Sequence, residues 1–264
     1  SQFTGAGYNM DQTRQTAEWL EEVGMKMVVF TGYQKYQEPV LRDHPERGMI
    51  CIGGSGVTRD SDSVVTSTWL CPFQPDNKTE YLSLLTKLIE LNSLREIHLN
   101  DEAGLGFSNG SFGCYCSFCV SEYESEFGQP PPQKPNWKSQ EWWTWIQYRM
   151  KKWTDIHTYF RSEIKKKRPD MVVGIAYSPT AVSYSQEPWV AGIDLSQDAK
   201  AMDVMCTDPY HNIHYPLFTY RPTRRIVTEA TRSFAGATFN TPMNIYPQGF
   251  APPMSSLEMT HRDG

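Results

Sequence analysis

The sequence lacks any long apolar run. Its 264 residues contain no window of about 18 apolar residues, whereas a helix that crosses a bilayer needs about 20. We therefore predict no membrane span. No secretory signal heads the chain, which opens on Ser1. This favours a cytoplasmic protein, with a secreted protein as the alternative if Ser1 is the trimmed end of a mature chain.

Basic residues are not in excess. The chain has 25 Lys and Arg against 30 Asp and Glu, which gives a formal net charge of −5. The one basic run, residues 165–168, ends a predicted helix, where cations complement the helix dipole. Nucleic acid is therefore not an expected partner.

Several cofactor and catalytic motifs are also missing. No Gly-x-Gly-x-x-Gly follows the first predicted strand, which argues against a dinucleotide-binding fold. The glycine run at residues 53–56 lacks the Lys-Ser/Thr ending of a phosphate-binding loop. Ser55 and Ser178 have no Ser/His/Asp spacing around them, so a serine hydrolase triad has no support.

Apolar segments of strand length alternate with amphipathic segments of helix length. The predicted strands are residues 2–8, 25–30, 49–52, 94–99, 171–177, 202–206 and 225–228. The predicted helices include residues 11–23, 79–91 and 140–167. This alternation indicates a parallel sheet covered by helices. We predict an α/β fold, a (β/α)8 TIM barrel over residues 1–264 as a single domain. Either it is incomplete or truncated near strand eight, or one strand was missed.

Carboxylates follow two of the predicted strands directly. Glu102 comes soon after residues 94–99, and Glu229 comes directly after residues 225–228. The carboxyl ends of barrel strands open at one mouth, where barrel enzymes keep their chemistry. Two carboxylates about 5 to 5.5 Å apart make a retaining glycosidase, with one acid/base and one nucleophile. The spacing thus makes Glu102 and Glu229 a candidate catalytic pair; the alternative is that they cap the following helices.

Other polar and aromatic side chains at predicted strand ends would line the same mouth. The expected substrate contacts are Asn100, Asp101, Asp208, Tyr210, His211 and Tyr8. The aromatic share of 13% is typical of carbohydrate clefts, because sugar rings stack on flat apolar faces, but a Trp-rich core explains it equally well. Trp142, Trp143 and Trp145 lie on one predicted helix, where packing is the expected role.

Three of the six cysteines form a tight cluster. The spacing Cys114-x-Cys116-x2-Cys119 is typical of metal sites, and Cys114 and Cys116 are too close in sequence for an easy disulfide. We therefore predict a thiolate metal site within the loop at residues 103–138. Cys51 and Cys206 lie in apolar runs and are predicted to be buried.

Residues 69–254 resemble the barrel domain of glycoside hydrolase family 42, β-galactosidases of clan A. The matching segments are Cys71-Pro72, HLNDEAG at 98–104, CYCSFC at 114–119, MDVMCTDPY at 202–210 and IVTE at 226–229. The cysteine set is the most specific of them.

The resemblance implies a retaining glycoside hydrolase that acts on a β-linked sugar, with a galactoside-like substrate among the candidates. It implies Glu102 as acid/base and Glu229 as nucleophile. It also implies one structural zinc held by four thiolates, a closed shell without an open catalytic position. The implied zinc ligands are Cys71, Cys114, Cys116 and Cys119. Family members are often trimers through a domain that is absent here, so the oligomeric state stays open.

The sequence departs from the family pattern at two positions. Asp101 stands where the family has Asn immediately before the acid/base, and Ala103 replaces an aromatic residue that follows it. Two alternatives therefore stay open. One is a catalytically inactive, glycosidase-like protein that binds glycans or a partner. The other is a glycosidase that uses Asp101 as a catalytic carboxylate.

Overall fold

A computed structural model describes residues 9–32, 34–35, 38–52, 64–102, 104–107, 111–178, 187–209, 223–239 and 241–246. The predicted first strand, residues 2–8, lies outside the described residues, as do Tyr8, Tyr210 and His211. Within the described ranges, no helix combines the length and apolar character that a bilayer span requires.

Nine strands and eight α-helices make up the described part of the chain. The strands are β1 (Met27–Phe30), β2 (Gly48–Ile52), β3 (Val64–Leu70), β4 (Leu94–His98), β5 (Gly106–Phe107), β6 (Ser111–Gly113), β7 (Val172–Tyr177), β8 (Val204–Thr207) and β9 (Met243–Ile245). The helices are α1 (Met10–Glu22), α2 (Glu38–Asp43), α3 (Pro75–Leu88), α4 (Ser117–Phe127), α5 (Gln140–Lys167), α6 (Glu187–Ala191), α7 (Leu195–Ala201) and α8 (Thr223–Ala237). A short 3-10 helix spans Pro45–Arg47.

Five strands form a parallel sheet in the order β1-β4-β7-β8-β9. Helices α3, α5, α7 and α8 each precede one of the last four strands, so every connection is a crossover of the kind that parallel strands need. This is an α/β arrangement consistent with part of a barrel wall. The described residues do not show a closed eight-stranded barrel.

A second sheet carries the cysteine-rich segments. Its four strands are antiparallel, in the order β3-β2-β6-β5. The predicted barrel strand at residues 49–52 belongs to this sheet instead, and β3, β5 and β6 were not foreseen. The cause is that β2 is a short apolar run buried almost throughout, a pattern that does not distinguish parallel from antiparallel pairing. One apolar core joins residues of both sheets.

The prediction of a strand at residues 225–228 is wrong, because these residues lie in α8. Ala230 and Phe234 are buried one helical turn apart and define the packed face of that helix. The next strand of the parallel sheet is β9, which follows Pro242. Helices 11–23 and 140–167 and the strands near 25, 94, 171 and 202 are confirmed within a few residues.

The two faces of the parallel sheet differ in chemistry. Alternate residues such as Ile97, Ile175 and Met205 join the apolar core with α3 and α5. Residues one position away carry polar groups, and Glu96 on β4 accepts a hydrogen bond from Asn244 on β9 at 2.5 Å. The second face thus forms a polar floor that leads to the carboxyl ends of the strands.

Candidate active site and four-cysteine site

The chain after β4 is held against β7 and does not leave the sheet at once. The N–H of Leu99 donates to the Gly174 carbonyl at 2.9 Å, and the Asn100 side-chain oxygen accepts from the Ala176 N–H at 2.9 Å. The N–H of Glu102 donates to the Ala176 carbonyl at 3.2 Å. Asn100, an expected substrate contact, is buried and its amide oxygen is used by the sheet.

Glu102 adopts a backbone conformation that is rare for its residue type. Its φ is 53°, in the left-handed region that side chains other than glycine seldom enter. Such conformations persist where the surrounding structure enforces them, and they concentrate at functional sites. Here the hydrogen bonds to β7 enforce the left-handed conformation of Glu102. They thereby fix the direction in which its side chain leaves the backbone.

The carboxyl groups of Glu102 and Asp208 lie beside each other across the strand ends. Asp208 directly follows β8, so its contact with Glu102 joins the ends of two strands that are not neighbours in the sheet. Burial and the nearby charge of Glu102 raise the pKa of Asp208 to about 9, and Asp101 adds to the effect. Two carboxyl groups in contact cannot both ionise, so the pair holds a proton at neutral pH.

Asp101 lies beside this pair and has a cationic neighbour. The Lys35 Nζ is 3.8 Å from the Asp101 Oδ2, and both side chains are largely buried. Burial raises the pKa of Asp101, the charge of Lys35 opposes that rise, and the charge of Glu102 adds to it. The strand ends therefore bring together three carboxyl groups and one ammonium group. Of these four groups, the sequence reasoning had not identified Lys35.

A second set of polar side chains lies on the polar floor of the sheet, beneath these residues. The His98 Nε2 is 2.6 Å from Glu96 Oε1, the oxygen that also accepts from Asn244. The His98 ring stacks on Phe30 with centroids 4.3 Å apart, and Phe30 meets the edge of Tyr246 at 5.3 Å. Sequence reasoning missed Glu96 as a site residue. Its signal was available in the alternation of Glu96 and His98 with the buried residues Ile97 and Leu99, although a polar face of the sheet was not inferred from it.

Glu229 does not join this site by a strand end. It lies within α8 and its side chain is exposed, while Ala230 and Phe234 form the buried face of the helix. The strand-end argument that paired Glu229 with Glu102 therefore fails. The predicted strand rested on two apolar residues, Ile226 and Val227. An apolar run this short does not distinguish a strand from a turn of helix.

The four cysteines of the expected metal site come together. Cys71 follows β3, Cys114 follows β6, Cys116 caps the N-terminus of α4, and Cys119 lies in its first turn. All four are buried, and their Sγ atoms lie within 4.8 Å of one another. Cys51 and Cys206 are buried elsewhere, as predicted.

The geometry of this quartet fits a metal ion. The Sγ atoms of Cys71 and Cys119 are 3.5 Å apart. A tetrahedral zinc with Zn–S bonds of about 2.3 Å holds its sulfurs about 3.8 Å apart, which is close to that spacing. Hydrogen bonds among the thiols, those with Cys114 first, lower the pKa of Cys116 and raise the pKa of Cys119, so the quartet shares its protons unevenly. The helix N-terminus also favours a thiolate at Cys116.

Three of the eight tryptophans are packed in the interior. Trp142, Trp145 and Trp153 are each at most 1% exposed, whereas Trp143 is partly buried. A Trp-rich core is thus the correct reading for these three side chains.

Comparison with known proteins gives structural matches only. No family model and no curated protein matches the sequence. The glycoside hydrolase domain of PgaB (BpsB) from Bordetella bronchiseptica matches with a TM-score of 0.60 and 16% identity, over 90% of this chain and 75% of that one.

Two β-galactosidases also match. The enzyme from Bacillus circulans sp. alkalophilus has a TM-score of 0.60 and 16% identity over 89% of this chain. The enzyme from Rahnella sp. R3 has a TM-score of 0.61 and 12% identity over 94% of this chain. The chain spans 37% and 44% of their lengths, respectively. The fold is glycosidase-like. At these identities the likeness extends to the fold and does not single out family 42.

Proposed function

We propose that the protein is a glycoside hydrolase whose catalytic groups are the carboxyl groups that follow β4 and β8. This proposal rests on the position of Asp208 beside Glu102, where burial and the charge of Glu102 raise the pKa of Asp208 to about 9, so that its carboxyl group holds a proton at neutral pH. Glycosidases need such a proton for the leaving-group oxygen. The glycosidase-like fold supports the same reading.

In the proposed mechanism, the Glu102–Asp208 pair is the general acid. The proton moves from the pair to the glycosidic oxygen as the bond to the anomeric carbon breaks, and the pair then takes a proton from the attacking water. Asp101, whose ionised form the nearby Lys35 ammonium group favours, stabilises the positive charge on the sugar and serves as the nucleophile of a retaining reaction. In this proposal Asp101 takes the role that the resemblance to family 42 implies for Glu229. The proposed substrate is a β-linked sugar, with galactosides the first class to test.

Leaving-group dependence tests these roles. We expect Glu102→Gln to lose far more activity on a methyl β-glycoside than on the dinitrophenyl β-glycoside, because a good leaving group needs no acid. Asp101→Asn should lose activity on both. Added azide should yield a glycosyl azide of retained configuration with Glu102→Gln, and of inverted configuration with Asp101→Asn. An Asp101→Asn variant that keeps wild-type activity would contradict the nucleophile assignment.

A specific observation favours a second candidate, a non-catalytic glycan-binding protein. Glu102 and Asp208 lie beside each other, whereas the acid and the second catalytic carboxylate of a glycosidase stand about 5 to 5.5 Å or about 6.5 to 9.5 Å apart, so this pair does not supply both groups. A binding protein would retain glycan affinity in the wild type, measured by calorimetry with oligosaccharides, and would turn over none of an α- and β-glycoside panel.

We further propose that the four cysteines hold one structural zinc. Four thiolates close the coordination shell, so the metal supplies no catalytic position and instead ties β3, β6 and α4 together. Elemental analysis should give one zinc per chain. Cys119→Ser should lose it and unfold at a lower temperature. Cys206→Ser is the matched control, since Cys206 is equally buried but lies outside the quartet. Zinc bound at full occupancy by Cys119→Ser would contradict the assignment.

A further inference from the structure

Arg149 is a fully buried arginine in the middle of α5, with 1% of its surface exposed. It donates to four backbone carbonyls. The acceptors are those of Gly113, Leu105 at 2.8 Å, Trp189 at 2.7 Å and Val190 at 2.6 Å. Burying an arginine is costly unless its donors are satisfied, so this arrangement is a built feature of the fold.

The four carbonyls belong to two segments that flank the candidate active site. Leu105 and Gly113 lie in the segment that follows Glu102, and Trp189 and Val190 lie in α6, which follows β7. The two segments also touch directly. The Leu105 N–H donates to the Ala191 carbonyl at 2.7 Å, and a Cβ added at Gly104 would lie 2.8 Å from the Ala191 Cβ.

The same guanidinium lies next to the four-cysteine site. Gly113, one of its acceptors, directly precedes Cys114, and Arg149 lines one small cavity together with Cys114 and Cys119. In the described part of the chain, no carboxylate forms an ion pair with Arg149. A divalent metal with four thiolates carries a net charge of about −2, and a buried cation beside it balances part of that charge.

We propose that Arg149 is a positioning residue that couples the four-cysteine site to the two segments flanking the candidate active site. Its charge stabilises the thiolates, and its planar fork of donors fixes the carbonyls of both segments. The consequence for catalysis rests on the proposed glycosidase function and the bound metal. The coupling itself is measured without any substrate.

Arg168 provides a matched control at the opposite end of the sheet. It donates to the carbonyls of Ile89 and Leu91 at 2.8 Å each and of Leu94 at 2.7 Å. Arg168 thus makes the same kind of contact as Arg149. It lies far along the chain from the cysteines, and its acceptors lie at the start of β4. Substitutions there test for general loss of stability.

The experiment compares Arg149→Lys, Arg149→Met, Arg168→Lys and Arg168→Met in the zinc-loaded protein. One readout is the rate of zinc transfer to the chelator 4-(2-pyridylazo)resorcinol. The other is hydrogen exchange in residues 104–113 and 187–192. We expect Arg149→Met to release zinc about ten times faster, the lower bound for groups that support metal ligands. Arg149→Lys should release it near the wild-type rate because the charge is kept.

Both Arg149 variants should exchange faster in the two segments, since lysine cannot reproduce the fork. The Arg168 variants should change neither readout. If Arg149→Met and wild type release zinc at the same rate, the claim that the charge of Arg149 stabilises the thiolates is overturned. A wild-type protein that binds no metal would overturn it as well. Unchanged exchange in Arg149→Lys would overturn the positioning half. If Arg149→Met does not fold, wild-type hydrogen exchange in Arg149→Lys still overturns the claim that Arg149 positions the two segments. Absence of glycosidase activity would bear on the proposed function alone.

Discussion

Two aspartates stand at opposite ends of β8 and live in opposite electrostatic environments. Asp203 precedes the strand and accepts from Arg161 at 2.6 Å, from Lys165 at 2.7 Å and from the Val173 N–H at 3.0 Å. Asp208 follows the strand and meets another carboxyl group, that of Glu102. The four-residue strand β8 thus separates Asp203, a carboxylate paired with cations, from Asp208, a carboxyl group that lies beside another carboxyl group.

The pKa values move in opposite directions for physical reasons. Burial acts to raise the pKa of Asp203, but the hydrogen bonds from Lys165 and Arg161 outweigh it and lower that pKa. At Asp208 nothing opposes burial and the charge of Glu102 to a similar extent, and the pKa rises to about 9. The amino end of the sheet is therefore arranged for stability. The carboxyl end holds an arrangement that costs stability, which is typical of a functional site.

The largest expected difference between the two ends is in activity. We predict that Asp208→Asn lowers kcat on a β-glycoside by about 10² or more, because an amide cannot share an acidic proton with Glu102. Asp203→Asn should leave kcat within about twofold of wild type, since Asp203 lies at the far end of the strand. Steady-state kinetics on both variants measures this, and equal losses of kcat in the two would remove the distinction between the ends.

The second prediction concerns how the free energy of unfolding depends on pH. The folded state holds a proton on Asp208 that the unfolded chain releases near pH 4, so this group's contribution is full below pH 4 and is lost as pH rises toward 9. Because asparagine does not titrate, Asp208→Asn should remove this pH dependence. Its free energy of unfolding should exceed that of wild type by roughly 2 kcal/mol between pH 5 and pH 8. Urea unfolding at several pH values measures it.

This gain would also confirm that the carboxyl pair costs stability. A variant whose stability falls with pH in parallel with wild type would show that another group carries the dependence.

Asp203→Asn should change stability in the opposite direction and by less. The contribution of Asp203 is present above pH 4 and is lost as pH falls through its lowered pKa. Removing the charge should cost about 1 kcal/mol at pH 7, a modest value because the group is partly exposed to solvent. The difference from wild type should vanish near pH 2. A loss that persists unchanged at pH 2 would indicate a packing defect.

The sequence predicted the carboxyl end in part, and the reasons for its failures are local. Asp101, Glu102 and Asp208 follow apolar runs within one to three residues, so parallel strand ends place them together. Glu229 also follows an apolar run, but Ile226 and Val227 are too few to reveal a period of two or 3.6 residues. Asp208 approaches Glu102 across strand ends that are not neighbours in the sheet, and Glu102 adopts a left-handed conformation, neither of which a local pattern encodes.

The four cysteines were predictable for a different reason. Three of them lie within six residues, so the chain itself keeps their sulfurs close. Cys71 lies 43 residues earlier than Cys114, and only the resemblance to a known family suggested it. The antiparallel sheet that brings it there was not foreseen, because the polar run Thr66-Ser67-Thr68 interrupts the apolar residues of β3.

The smallest effect we predict is a shift in the pH profile of kcat on substitution of Lys35. The Lys35 ammonium group favours the ionised form of Asp101, so Lys35→Met should make that carboxyl group harder to ionise. The acidic limb of the profile should therefore move to higher pH, because one nearby positive charge is lost.

Lys165→Met is the control at the amino end, where the same change removes a cation from Asp203. It should lower stability by less than about 1 kcal/mol and leave the pH profile in place. The profile moves only if Asp101 must be ionised for turnover, so an unmoved limb in Lys35→Met, with kcat otherwise intact, would exclude Asp101 as the anionic group. The general acid would then still be assigned to the Glu102–Asp208 pair, because its proton does not depend on Lys35.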